Sequence, residues 1–167
     1  SAIDLFKYNN GIFALPETMD FNILIYRKDI INELGISIPQ TWDEVYRSVL
    51  PILKQNGMDF YFPLGPGGFI PFLYQKNGSF YRNDGLVSNL DSAEAYEAFK
   101  EWTELYTNYQ LPVQANFFNR MRTGEIPIGV ASYWDYVLLS TAAPELYGKW
   151  DIAPIPGIKE DNGTINR

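Results

Sequence analysis

The chain has 167 residues, 46% of them apolar, enough to bury one domain-sized core and too apolar for a disordered segment. Its formal net charge of −7 leaves no basic face for a nucleic-acid backbone or an anionic membrane surface. Neither cysteine nor histidine is present, so disulfides, thiol catalysis, Ser-His-Asp triads and most transition-metal sites are excluded, and neither cofactor nor metal is expected.

Taken in order, Ile12-Phe13-Ala14-Leu15 reads as a strand that halts at Pro16, and Phe21 to Tyr26 as a buried strand. Arg27 to Leu34 follows as a short helix stopped by Gly35. Thr41-Trp42-Asp43-Glu44 is a capping box opening a helix that ends near Asn56-Gly57 and that Pro51 should bend or break. Met58 to Leu64 reads as a short strand. Gly65-Pro66-Gly67-Gly68 reads as a flexible loop before a helix from about Pro71 to Lys76; it lacks the lysine and spacing of a phosphate-binding loop.

Asp84-Gly85 is flanked by Phe80-Tyr81 and Leu86-Val87 as a hairpin. The longest helix has Asp91 and Glu94 as its start signal and carries Ala95, Phe99, Trp102, Leu105 and Tyr106 as a core stripe. Asn116 to Thr123 forms a helix capped by Gly124. The stretch G-E-I-P-I-G-V-A-S-Y-W-D-Y then runs at strand period through Ile126, Ile128 and Val130. It places Tyr133, Trp134, Asp135 and Tyr136 at the strand's far end, with a helix from about Asp135 to Ala143 beyond. Trp150 to Pro154 is a last strand, and the polar tail after Lys159 is expected to be loose.

Strands and helices alternate, which predicts an α/β fold with helices on both faces of a sheet. Ligands of such folds bind outside the carboxyl ends of the strands. Two stretches meet that condition: Glu17 to Asp20 and Tyr133 to Tyr136. Aromatic faces beside carboxylates suit a ligand with alternating apolar and hydroxyl faces, such as a sugar. From a regular strand Tyr133 and Tyr136 cannot both face the cleft.

Three segments carry a family resemblance: Gly11 to Ile30 continuing through E-L-G-I-S-I-P-Q-T-W-D-E-V, then P-F-L-Y-Q-K-N-G-S-F-Y, then Gly124 to Tyr136 with the later W-D-I-A-P-I-P-G. In this order they resemble the extracellular solute-binding proteins of carbohydrate ABC transporters, the group that includes maltose-binding protein. The resemblance implies one lobe of a periplasmic-binding-protein-like type II fold, a mixed sheet flanked by helices, with hinge strands to a further lobe. Residues 1–157 are expected to form the second lobe, with hinge crossings near 12–20 and 126–134, and 158–167 a tail leading back toward the rest of the protein. The chain's two ends read as those of an excerpt.

By the same resemblance, Trp134 stacks on a sugar ring, Tyr136 supplies a further aromatic, Asp20 accepts sugar hydroxyls and Phe69 is a cleft aromatic. Tyr133, Asp135 and Thr18 complete the candidate ligand-binding set. The loop 65–68 lacks the acidic and aromatic residues of the maltose-type pattern, and Tyr133 replaces a more usual proline or glycine, which turns the expectation away from maltose. The implied protein is a non-catalytic, monomeric, extracellular or periplasmic component, a cell-surface lipoprotein anchored outside this segment, that delivers sugar to ABC permease subunits. Two alternatives are a glycoside hydrolase using Asp20 and Asp135, which needs carboxylates roughly 5–9 Å apart, and a peptide- or polyamine-binding member of the same fold.

Overall fold

The apolar runs around Ile23 and Val130 form the two interior strands of a four-stranded sheet, and their register fixes the layers on either side. In the computed structural model, which describes residues 2–167, a 3₁₀ turn (Ala2–Phe6) leads into strands β1 (Lys7–Tyr8) and β2 (Gly11–Ile12). Strand β3 (Asn22–Arg27) runs into helix α1 (Lys28–Glu33). Then come α2 (Trp42–Glu44), a π-helical segment (Val45–Val49) and α3 (Leu50–Gln55), followed by β4 (Phe60–Tyr61) and α4 (Pro66–Gln75). Hairpin strands β5 (Tyr81–Arg82) and β6 (Val87–Ser88) precede the long α5 (Ala93–Thr107) and α6 (Phe117–Thr123). Strand β7 (Ile128–Ser132), α7 (Tyr133–Ala142), a 3₁₀ turn (Pro144–Leu146), β8 (Trp150–Ala153), β9 (Ile158–Lys159) and β10 (Ile165–Asn166) complete the order.

The sheet order is β4-β7-β3-β8. Strand β4 pairs parallel with β7, while β3 pairs antiparallel with both β7 and β8. Side chains alternate across each strand, so the pairs Leu24↔Val130 and Tyr26↔Ile128 face one layer and Ile23↔Ala131 the other. Leu24, Ile128 and Val130 join Ile31, Trp42, Leu53, Phe72 and Leu105 in the larger core. Ile23, Ile25 and Ala131 join Phe117, Met121 and Leu139 in the smaller one. Helices therefore cover both faces, the mixed α/β arrangement expected of the sequence.

Several elements differ from the sequence reading. Ile12 alone of the run 12–15 is in a strand, and residues 12–21 are exposed, so the apolar side chains of Phe13 and Leu15 have no sheet to pack against among the described residues. Strand β7 is bonded on both edges and buried, an interior strand of the sheet. Thr41 accepts from the Glu44 amide at 3.3 Å, but Glu44 reaches one residue further back, to the Gln40 amide at 2.6 Å. Pro51 does not break its helix. The preceding turn widens instead, with the Leu50 amide bonding the Val45 carbonyl five residues back, which places Pro51 in the first turn of a new helical segment.

Helix α4 starts inside the expected glycine loop, because Pro66 fits a first helical turn where no amide is needed. Ser92, not Asp91, caps α5 through the Ala95 amide at 3.2 Å. The buried stripe of α5 is Ala95, Ala98 and Leu105, with Trp102 and Tyr106 partly buried against it and Phe99 turned to solvent. The tail is ordered rather than loose. Strands β9 and β10 pair as a hairpin, and Asn166 Nδ2 donates to the Gln75 carbonyl at 2.8 Å.

Candidate functional site

Strands β4 and β7 run parallel, so both present their carboxyl ends at the same edge of the sheet. The antiparallel β3 brings its amino end there, with Asn22 opposite Ser132. Three separate parts of the chain therefore converge at one end of the sheet. Two hydrogen bonds fasten them: Asn22 Nδ2 donates to the Gly67 carbonyl at 3.0 Å, and the Tyr133 amide to the Phe21 carbonyl at 2.9 Å.

Tyr133 to Tyr136 are not the end of the strand. Helix α7 begins at Tyr133, with Ser132 as its N-cap in extended conformation. The Asp135 carboxylate, in the first turn, reaches back and accepts from the Ser132 amide at 3.3 Å and the Ser132 hydroxyl at 3.4 Å through the same oxygen, Oδ2. Helical spacing changes the relation of the two tyrosines. At i and i+3 they lie on one side of the helix, and their rings stack at 5.2 Å with 12° between planes.

The stack extends in both directions. Phe21 stacks on Tyr133 at 5.1 Å, and Trp150 meets Tyr136 edge-on at 5.3 Å. Phe21, Tyr133, Tyr136 and Trp150 thus form a ladder of rings from the start of β3 to the start of β8. Trp134, next to it, is 66% exposed, and its indole enters no ring pair among the described residues.

Carboxylates border the ladder. Asp20 is exposed and accepts from its neighbour's amide, that of Phe21, at 3.0 Å. Burial raises the Asp135 carboxyl above its ordinary value of 3.8, with the Asp20 charge adding to the rise and the Ser132 hydrogen bonds opposing it. The Tyr61 hydroxyl is raised too, first by burial and then by the Asp135 charge. Tyr61, at the end of β4, therefore faces the same cluster. Its ring stacks on Phe117 at 4.8 Å, and beside it opens a groove of about 510 Å³ whose walls include Leu64, Gln114 and Asn116. A second cavity of about 310 Å³ lies where Tyr136 meets Trp150, against the flank of α7 and the edge strand β8. It is away from the carboxyl ends of the strands.

Of the residues expected from the sequence, Tyr133, Trp134, Asp135, Tyr136 and Asp20 come together. Thr18 lies in the exposed segment before them, with no hydrogen bond tying it to the cluster among the described residues. Phe69 packs against the larger core, its ring against Phe80, Phe99 and Trp102. Arg120 and Arg122 serve ion pairs, with Glu125 at 2.9 Å and with Glu145 respectively. Phe21, Asn22 and Tyr61 belong to the site's surroundings and were not legible as such, because only the β3–β7 register and the sheet order bring them there, whereas Trp150, opposite Arg27, sits at the far end of the sheet.

The model of the bacterial extracellular solute-binding protein family matches residues 2–167, virtually the whole chain. The chain belongs to this family. Among its relatives is a multiple sugar-binding protein of Streptococcus mutans, 26% identical over 99 residues that make up 59% of this chain and 22% of that protein. Among solved structures, an ABC transporter solute-binding protein of Thermotoga lettingae TMO, bound with α-D-tagatose, superposes with a TM-score of 0.78 at 26% identity, over 92% of this chain and 43% of that one. Maltose-bound MalE3 of T. maritima (TM-score 0.74, 24% identity, 92% and 43% coverage) shares the fold. So does an ABC substrate-binding protein of Listeria monocytogenes in complex with cycloalternan (0.77, 22%, 95% and 43%). The chain spans less than half the length of these relatives. Family and fold agree with the resemblance read from the sequence.

Proposed function

We propose that this solute-binding chain supplies one wall of a sugar-binding cleft in the non-catalytic substrate-binding component of an ABC importer. The observation that carries the reading is the exposed Trp134 indole, set beside the Phe21–Tyr133–Tyr136 ladder and the Asp20 and Asp135 carboxylates at the carboxyl ends of β4 and β7. A sugar ring offers C–H groups to an aromatic face and hydroxyls to carboxylates. The ladder's ring pairs, each contributing about 0.5–1.5 kcal/mol beyond area burial, hold this wall in place before a ligand arrives. The sugars bound by relatives support the ligand class. In this reading Trp134 contacts the sugar face, Asp20 accepts hydroxyls, Tyr133 and Tyr136 form the aromatic wall beside it, and Thr18 lies at the margin, while Phe69 belongs to the core. The protein is a monomer outside the cytoplasmic membrane, held there by a lipid anchor beyond this segment, and its macromolecular partners are the permease subunits of the importer.

The test is a thermal-shift and calorimetric screen of the protein carrying this chain against mono- and oligosaccharides, with polyamines as the contrast. A sugar at a hundredfold excess over Kd stabilises the folded protein by about 2.7 kcal/mol, a readily measured rise in Tm. Recovery of the oligosaccharide uncleaved is expected. A shift with polyamines alone, or cleavage that Asp20→Asn abolishes, would overturn the reading.

A further inference from the structure

Trp134 and Tyr133 are neighbours held in different ways. The Tyr133 ring is fixed by Phe21 on one side and Tyr136 on the other. Trp134 has no such partner among the described residues, so where its indole is carried, and the rotamers open to it, depend on the backbone of the first turn of α7. That turn is fastened at Ser132. The Ser132 backbone is locked in register against Asn22, and the Asp135 carboxylate accepts from both the amide and the hydroxyl of Ser132.

We propose that Asp135 is a positioning residue, one that aims the Trp134 indole at the ligand by closing the strand-to-helix turn on Ser132 and does not itself bind sugar hydroxyls. The inference deepens, and rests on, the sugar-binding reading above. Its geometry divides the two carboxylates by role. Asp135 is half-buried, and its hydrogen-bonding oxygen turns inward to the cap, whereas Asp20 is exposed and lies outside any helix. Removing the cap frees the turn and lets the indole sample orientations that a bound sugar must then reselect, which weakens affinity.

The test compares Asp135→Ala, Asp135→Asn, Asp135→Glu and Ser132→Ala in the full protein, each with and without Trp134→Phe. The difference within each pair isolates the Trp134 fluorescence and its quenching by acrylamide in the ligand-free state. The probe for affinity is whichever of D-tagatose, maltose or cycloalternan gives the wild type its largest thermal shift. Asparagine keeps an acceptor oxygen and glutamate is the commoner residue at this position of a capping box. Both are therefore expected to retain the Trp134 signal and to hold Kd within about threefold, while Asp135→Ala alters the signal and raises Kd by about tenfold. Ser132→Ala, which leaves the carboxylate in place, should shift both readouts in the direction of Asp135→Ala. An unchanged Trp134 signal in Asp135→Ala, or affinity lost equally in the asparagine and glutamate variants, would overturn the proposal. Failure of the wild type to bind any of the three sugars would strike the sugar-binding reading instead, since the ligand-free fluorescence stands apart from it.

Discussion

The rings of Phe21 and Tyr133 stack at 5.1 Å with 18° between their planes, and the same two residues are joined by the bond from the Tyr133 amide to the Phe21 carbonyl. One contact thus ties the start of β3 to the start of α7, and through Tyr136 it continues to Trp150 at the start of β8. Each ring pair contributes about 0.5–1.5 kcal/mol beyond its burial.

Replacing Tyr133 by alanine removes two of these pairs, with Phe21 and with Tyr136. The expected loss is about 1–3 kcal/mol of unfolding free energy, read from urea denaturation. Tyr133→Phe keeps both stacks and should fall within about 0.5 kcal/mol of the wild type. If the two variants proved equally destabilised, the hydroxyl rather than the stacking would be what holds the ladder.

Trp134→Ala is expected to behave in the opposite way. With 66% of its surface in water and no ring partner among the described residues, the indole adds little to folding. Tm should move by no more than about 2 °C, while sugar Kd rises at least about tenfold, equivalent to 1.4 kcal/mol. Isothermal titration beside a melting curve separates these. Normal binding with a large fall in Tm would reassign Trp134 to structure.

The two interior strands were legible in the sequence because a strand covered on both faces is apolar at successive positions, as in Ile23-Leu24-Ile25 and Ile128-Gly129-Val130-Ala131. The hairpin at Asp84-Gly85 and the helix closing at Gly124, which has φ 84°, were equally local signals. The start of α7 was hidden because Tyr133 and Trp134 have strand-forming side chains, and that preference masks the cap formed by Ser132 and Asp135. Helical spacing on α5 puts Phe99 in the aromatic stripe, but small residues do the packing there. Ala95 and Ala98 are buried in the larger core, and Phe99 is 53% exposed. The ladder itself was out of reach, since Phe21 and Tyr133 are brought together only by the register Asn22↔Ser132. The tail hairpin is held by hydrogen bonds to Gln75 and Gln40, distant in sequence.

The pH dependence of stability should carry the mark of Asp135. Its folded carboxyl is raised above 3.8 by burial and by Asp20, so the folded state holds this proton to higher pH than the unfolded chain does. The group's contribution is therefore fully present below the unfolded value and is lost as pH rises through the raised one. Asp135→Asn retains an acceptor for Ser132 but does not ionise. Relative to the wild type, its Tm is expected to improve from pH 3.5 toward pH 7, the gain appearing above about 3.8, where the unfolded carboxyl ionises. Asp20→Asn should shift the midpoint of the wild-type effect downward by removing the neighbouring charge, and Tyr61, un-ionised throughout this range, should leave it unchanged. A Tm difference independent of pH would mean that Asp135 titrates alike in both states.

Gly129 gives the sharpest test of how the site end of the sheet is built. It lies in β7 directly opposite Tyr61 of β4, and an added Cβ would stand 2.5 Å from the Tyr61 Cβ, 2.8 Å from its carbonyl oxygen and 2.9 Å from its Cα. Two of those atoms are backbone, so no rotamer change relieves the clash, and the strands must separate. Gly129→Ala should cost about 2 kcal/mol or more, within the range for overpacking a core. It should also displace Tyr61, whose ring stacks on Phe117 and borders the 510 Å³ groove. Sugar affinity is then expected to fall even though Gly129 is buried beneath the site. Tyr61→Ala separates the two effects. Removing the ring spares the sheet pairing, but the backbone at position 61 still opposes Gly129, so the added methyl of the double variant meets the same carbonyl oxygen and the destabilisation should remain. Full recovery of stability in Gly129→Ala/Tyr61→Ala, which keeps the Cβ and backbone of position 61 in place, would show that the Tyr61 ring, and not strand separation, was the source of the cost.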